Sequence, residues 1–105
     1  MEETKETSNN QENKDTSVFI GGKPFMNYVT GVVIQFTTKG ADEVTIKSRG
    51  KFISKAVDVA EVARRKFLSG QNVVVKDIKI GSEEFENKEG KKINVSTMEI
   101  VLGKQ

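Results

Sequence analysis

Four cations and no acid fall within nine residues at Lys47-Ser48-Arg49-Gly50-Lys51-Phe52-Ile53-Ser54-Lys55. The stretch joins two segments of different periodicity. Upstream, Glu43 to Arg49 alternates with the period of two of a half-buried strand. Downstream, Ile53, Ala56, Val57, Ala60, Ala63 and Phe67 recur at helical steps of three and four. Gly50 allows a sharp backbone turn between them. A basic loop fixed between a strand and a helix presents cations rigidly, and a polyanion is its natural partner. The plain alternative is a solvated connection.

Other chemistry is excluded by what the chain lacks. It has no cysteine, hence no disulfide and no thiolate metal site, and no histidine, hence no His-dependent triad or zinc hydrolysis. An Mg²⁺-dependent nuclease needs clustered carboxylates, and the acids here are scattered. Glu83, Glu84, Glu86 and Glu89 lack the Asp/Asn/Gly pattern of a calcium loop. No metal, no cofactor and no enzymatic activity are expected. The sequence has no long apolar run and no signal-peptide pattern, so a soluble, cytoplasmic protein is the expectation.

The net charge of +2 hides an asymmetry. Residues 1–16 carry two lysines against five acids, a net of −3, which leaves +5 for the remainder. This segment has no aliphatic residue after Met1, and it cannot bury enough apolar area to offset its ordering entropy. It reads as a disordered acidic tail, with a single domain over 17–105.

The elements that must position the cations follow in order. Val18-Phe19-Ile20 is a short strand. Gly21-Gly22-Lys23-Pro24 is a turn, with Pro24 suited to the first helical position. A helix runs through Met26, Tyr28, Val29, Val32, Val33 and Phe36 to Gly40, with Gly31 pointing to a close packing contact. Strand 44–48, the basic loop and helix 53–68 come next. Val73–Ile80 and Ile93–Leu102 are strands, the latter with Met98, Ile100 and Leu102 on one face and Val95, Thr97, Glu99 and Val101 on the other. Between them Gly81–Lys92 is an arm with its tip at Asn87–Gly90. The expected class is α+β: a two-layer βαβαββ sandwich, a mixed four-stranded sheet with two helices on one face and a long β-hairpin arm. Val59 and Val62 lie off the helical stripe, as if another subunit covered them.

Three blocks carry a family resemblance: Ile20-Gly21-Gly22-Lys23-Pro24-Phe25-Met26-Asn27-Tyr28-Val29; Ile46 through Asp58; and Ile80-Gly81-Ser82 with Val95-Ser96-Thr97-Met98-Glu99-Ile100. In this order and over residues 18–102 the chain resembles the Alba family of small archaeal chromatin proteins. The resemblance implies a fold like the C-terminal domain of translation initiation factor three. It implies a homodimer that binds double-stranded DNA with little sequence preference and is associated with the chromosome. In that picture the basic body spans the backbone and the two arms follow the minor groove. Lys23, Arg49, Lys51, Lys55 and Arg64 become phosphate contacts, and Phe67 matches an apolar position where dimers meet side by side. Tyr28 is a candidate RNA contact, and RNA bound by the same basic surface is the alternative function.

Three features depart from the family, one of them an acidic tail longer than the resemblance implies. Gly22 stands where members often carry the first of two lysines, so only Lys23 remains. Asn94 stands where many have arginine. In the arm, Lys88, Lys91 and Lys92 surround the tip, whereas Glu83, Glu84 and Glu86 fall on the outgoing limb. The expected contact is therefore through the tip and return limb, with the outgoing limb turned to solvent.

Overall fold

The computed structural model describes residues 16–105. The acidic segment read as a tail lies outside the described residues apart from Thr16, whose carbonyl accepts from the Thr45 N–H. The elements are β1 (Ser17–Phe19), α1 (Phe25–Thr37), β2 (Glu43–Arg49), α2 (Ile53–Val62), β3 (Val73–Glu86) and β4 (Lys92–Lys104). They form one four-stranded sheet in the order β1-β2-β4-β3. β1 runs parallel to β2, and the other pairs are antiparallel. This is the expected α+β, βαβαββ arrangement. No helix among the described residues is long and apolar enough to cross a membrane.

The alternation read in β2 and β4 is realised in the packing. Val44 and Ile46 of β2 and Ile100 and Leu102 of β4 are buried beneath the helices. In the register Val44 opposes Leu102 and Ile46 opposes Ile100, so the four make two cross-strand apolar pairs. Val29, Val32 and Phe36 of α1 close the core from one side, and Ala56, Val59, Ala60 and Ala63 from the other. The alanines are spaced to let α2 lie close to the sheet.

Four details differ from the sequence reading. Pro24 stands one residue before the first turn of α1, with ψ 146°, and not in it. Its carbonyl accepts from Asn27, and no side chain caps the helix start. Gly31 faces open space, where a Cβ would have no neighbour within 4 Å, so close packing does not account for it. The buried stripe of α2 is Ala56, Val59, Ala60 and Ala63; Val59 is core within this chain, while Val57 and Phe67 are exposed. Steps of three and four can be threaded through an alanine-rich helix in more than one way, and the sheet selects the stripe holding Val59. Finally, the helix of 53–68 changes pitch near its end. Residues Ala63–Phe67 form a widened turn closed by Leu68 N–H donating to the Ala63 carbonyl five residues back.

The arm is a strand ribbon almost to its tip, so the third strand runs past Ile80 to Glu86. β3 and β4 stay paired out to Glu86 opposite Lys92, whereas β2 ends at Arg49 opposite Thr97. Beyond that row the arm is two strands alone. Its turn is held by Asn87, whose Oδ1 accepts from the Glu89 and Lys91 amides, with Gly90 at φ +80°. Glu83, Glu84 and Glu86 have low strand propensity, and the pairing with β4 overrides it.

Gly50 has φ +56°, a conformation that costs other residues about 1–2 kcal/mol. Gly50→Ala is expected to lower stability by about that amount in urea unfolding, with the slope of the transition unchanged. Full stability in that variant would mean that the turn relaxes to negative φ.

Candidate nucleic-acid interface

Three segments converge at the end of the sheet where β2 stops. Arg49 is extended, Gly50 reverses the chain, and a single tight turn over Gly50–Phe52 feeds α2. Arg49 and Lys51 therefore leave the backbone on either side of one left-handed residue. The Lys51 ammonium lies 5.4 Å from the centroid of the Phe52 ring, close enough for a cation–π attraction.

The Gly21–Pro24 turn is brought to the same place by two side chains. Lys55 donates to the carbonyls of Gly21 and Lys23, each at 2.7 Å. The Tyr28 hydroxyl oxygen accepts from the amides of Gly21 and Lys23, each at 3.0 Å. The Lys55 ammonium also stands 5.0 Å from the Tyr28 ring centroid. Tyr28 is nearly fully buried, and its ring and hydroxyl are committed to this turn. Lys23 lines an open depression with Asn27, Tyr28 and Thr30.

The base of the arm supplies the third segment. Arg49 Nη1 donates to Glu83 Oε1 at 2.8 Å, with both side chains half exposed. The same guanidinium lies 5.0 Å from the Phe85 centroid. The outgoing limb is thus not simply turned to solvent: Glu83 faces the basic loop. Register explains this, because Arg49 opposes Thr97, Thr97 opposes Gly81, and Glu83 stands two residues further on the same face. Lys92 reaches Glu84 at 3.9 Å across the ribbon. Lys88 and Lys91 flank the Asn87 turn at the far end of the arm.

Arg64 and Phe67 sit elsewhere, on the widened turn after α2. Arg64 makes two hydrogen bonds to the Glu61 carboxylate, three residues earlier. Donation from Arg64 holds the Glu61 carboxyl below the usual carboxylate range; partial burial opposes this, and the charges of Arg64 and Arg65 reinforce it. Reciprocally, the hydrogen bond to Glu61 raises Arg64. Phe67 is half exposed and is not core.

Lys23, Arg49, Lys51 and Lys55 are therefore brought together, Lys88, Lys91 and Lys92 stand out along the arm, and Arg64 is apart. Sequence reasoning missed the partners. The Glu61-x-x-Arg64 spacing is visible as a helical pair. Glu83 and Phe85, alternating on one strand, are the signal for the Arg49 contact. Phe19, exposed beside Lys47 at 5.4 Å, carries no comparable signal in the sequence.

Comparison with known proteins gives a consistent result. A family model described as Alba matches residues 16–82. The "DNA/RNA-binding protein Alba 1" of Archaeoglobus fulgidus is 53% identical over 91 residues, which cover 87% of this chain and 98% of that protein. The "DNA/RNA-binding protein Alba" of Methanothrix thermoacetophila is 57% identical over the same shares of each chain. Among solved structures, Alba from Thermoplasma volcanium superposes with a TM-score of 0.77 at 44% identity, covering 84% of this chain and 99% of that one. ALBA1 of Trypanosoma brucei gives 0.64 at 26% identity, over 89% and 72%.

The Glu61–Arg64 pair makes a pH-dependent expectation. A carboxylate lowered on folding adds stability above its unfolded pKa, and that stability is lost as pH falls through the lowered folded value. Exposure screens the pair, so its worth is only about 0.3–0.5 kcal/mol. In a side-chain carboxyl NMR titration Glu61 should protonate at lower pH than an unpaired glutamate, and Arg64→Gln should move it back up. An unchanged midpoint in that variant would show that Arg64 is not the cause.

Proposed function

The chain belongs to the Alba family, and on that premise we propose that it is an architectural chromatin protein, a binding protein without enzymatic activity. It binds double-stranded DNA as a homodimer, with little sequence specificity, through phosphate contacts at the body and through its arms in the minor groove. The observation that carries this reading is the convergence of the Lys23 turn, the Arg49–Gly50–Lys51 turn and the base of the arm at one end of the sheet. Cations fixed on short turns with defined backbone geometry lose little freedom when they meet a phosphate.

The homodimer is supported by an apolar row that no other described residue covers. Val75, Ile78 and Ile80 lie on the helix side of edge strand β3, where Ile78 opposes buried Ile100 and Ile80 opposes Met98. Ile80 is nonetheless 79% exposed and Ile78 54%. Apolar side chains on the core side of an edge strand suit a second copy, which would extend the core across a two-fold axis. Phe67, half exposed on the widened turn after α2, suits contact between dimers on DNA.

RNA is the second reading. Exposed Phe19 with Lys47 beside it on the open face of the sheet is the kind of aromatic–cation pair on which an unpaired base stacks.

Binding to duplex should weaken linearly in log K against log salt. Arg49→Ala with Lys51→Ala should flatten the slope by about 0.9 for each phosphate left without its cation, equally for unrelated sequences. Glu83→Gln, which frees Arg49, should tighten binding more than Glu84→Gln does. An unchanged slope in the double variant would remove the basic turn from the interface, and tighter binding to single-stranded RNA than to duplex would favour the second reading.

Sedimentation tests the assembly. Ile80→Asp should give monomers, because a carboxylate in an apolar interface must be desolvated. Phe67→Ala should leave the dimer intact and reduce cooperative coating of long DNA. An Ile80→Asp protein that remained dimeric would place the interface elsewhere. A loss of about 3–5 kcal/mol in Phe67→Ala would mark that residue as core.

A further inference from the structure

We propose that Lys55 and Tyr28 act as positioning residues for Lys23, and that Lys55 is not itself a phosphate contact. This rests on the duplex-binding reading above and assigns a different role within it to a residue of the basic stretch.

The geometry begins with a misplaced charge. Lys55 is the third residue of α2, where the positive end of the helix dipole disfavours a cation. The ammonium is stabilised there by two carbonyl oxygens at 2.7 Å, from Gly21 and Lys23, and by the face of the Tyr28 ring. Tyr28 completes the arrangement from the other side, accepting the amides of the same two residues. Two side chains thus satisfy all four backbone polar groups of Gly21 and Lys23. Gly22, between them, projects outward, with no neighbour within 4 Å of a would-be Cβ.

The consequence follows from donor arithmetic. An ammonium has three N–H donors, and two of those on Lys55 are spent on carbonyls inside the fold. A phosphate can claim those two only by releasing the turn that holds Lys23, and the one remaining donor is on an ammonium whose position the two carbonyls fix. Lys23, by contrast, has its backbone clamped and its side chain bordering an open depression. Lys23 is thus the cation left to meet a phosphate directly, and Lys55, whose charge persists, holds the Lys23 backbone in place. The ring and hydroxyl of Tyr28 serve the same turn, which assigns Tyr28 a role in duplex binding without contact to a base.

Tyr28→Phe, Lys55→Met and Lys23→Met test this, alone and in pairs. The first readout is hydrogen exchange of the free protein, which needs no nucleic acid. Tyr28→Phe should speed exchange of the Gly21 and Lys23 amides at least tenfold. Lys55→Met should also speed it, although Lys55 bonds only the carbonyls. The second readout is the salt slope of duplex binding. Tyr28→Phe removes no charge, yet it should flatten the slope by up to about 0.9, the value of one phosphate contact, because Lys23 is no longer held. Adding Lys23→Met to Lys55→Met should cost little beyond Lys55→Met alone.

Additive losses from Lys23→Met and Lys55→Met, with amide exchange unchanged, would overturn the proposal and return Lys55 to the phosphate contacts. An unchanged slope in Tyr28→Phe would overturn it as well, and that variant keeps the packing if Lys55→Met fails to fold. A wild-type protein that bound no duplex would instead defeat the proposed function, and the exchange experiment would then decide whether the clamp exists.

Discussion

Seven consecutive residues of β2 pair with seven of β4, and nearly every other feature depends on that register. It puts Val44 and Ile46 against Leu102 and Ile100 under the helices and turns Lys47 and Arg49 to the opposite face. A slip of one residue would exchange the two sets, burying cations and exposing the core. The same pairing decides where β2 stops, and so where Gly50 reverses the chain and α2 begins. It also aligns β3, through β4, so that Glu83 and Phe85 come level with the Arg49 side chain.

The cations singled out for binding are therefore less available than the composition suggests. Arg49, Arg64 and Lys92 each have a carboxylate within reach inside the chain. Exposed pairs of this kind contribute little to stability, yet each sets a competitor against an incoming phosphate. Binding by such residues is an exchange of one anion for another. Lys23 and Lys51 have no carboxylate among the described ion pairs, and Lys51 rests instead beside an aromatic ring. The interface combines cations ready to bind with cations already partnered.

Much of this is legible in the sequence because it is local. The alternation of Glu43 to Arg49, the glycine after it and the two faces of β4 are properties of neighbouring residues, and the structure has them as read. The three blocks that resemble Alba lead to the right family for the same reason: the first two hold the turns that position the basic end, and the third lies on the paired strands beside them. What escapes is long-range. The partners of Lys55 are 34 and 32 residues away, and Glu83 is 34 residues from Arg49; no spacing rule joins them. The stripe of α2 is ambiguous in sequence because Val57, Val59 and Val62 are alike in type, and only contact with the sheet separates Val59 from the others. The extension of β3 beyond Ile80 is hidden because glutamates have low strand propensity, and the cross-strand pairing that overrides it is invisible in one limb alone.

The ribbon beyond Arg49 also governs how such an arm could change its reach. Each limb repeats every two residues, so one residue added to a limb would turn Glu83 and Phe85 away from Arg49 or shift their partners on β4. A matched pair added to both limbs beyond Phe85 would leave those contacts alone and carry the Asn87 turn outward by about 7 Å. Arm length in this architecture is thus a stepped variable. The tip, whose own hydrogen bonds run from Asn87 to Lys91, travels as a unit at each step.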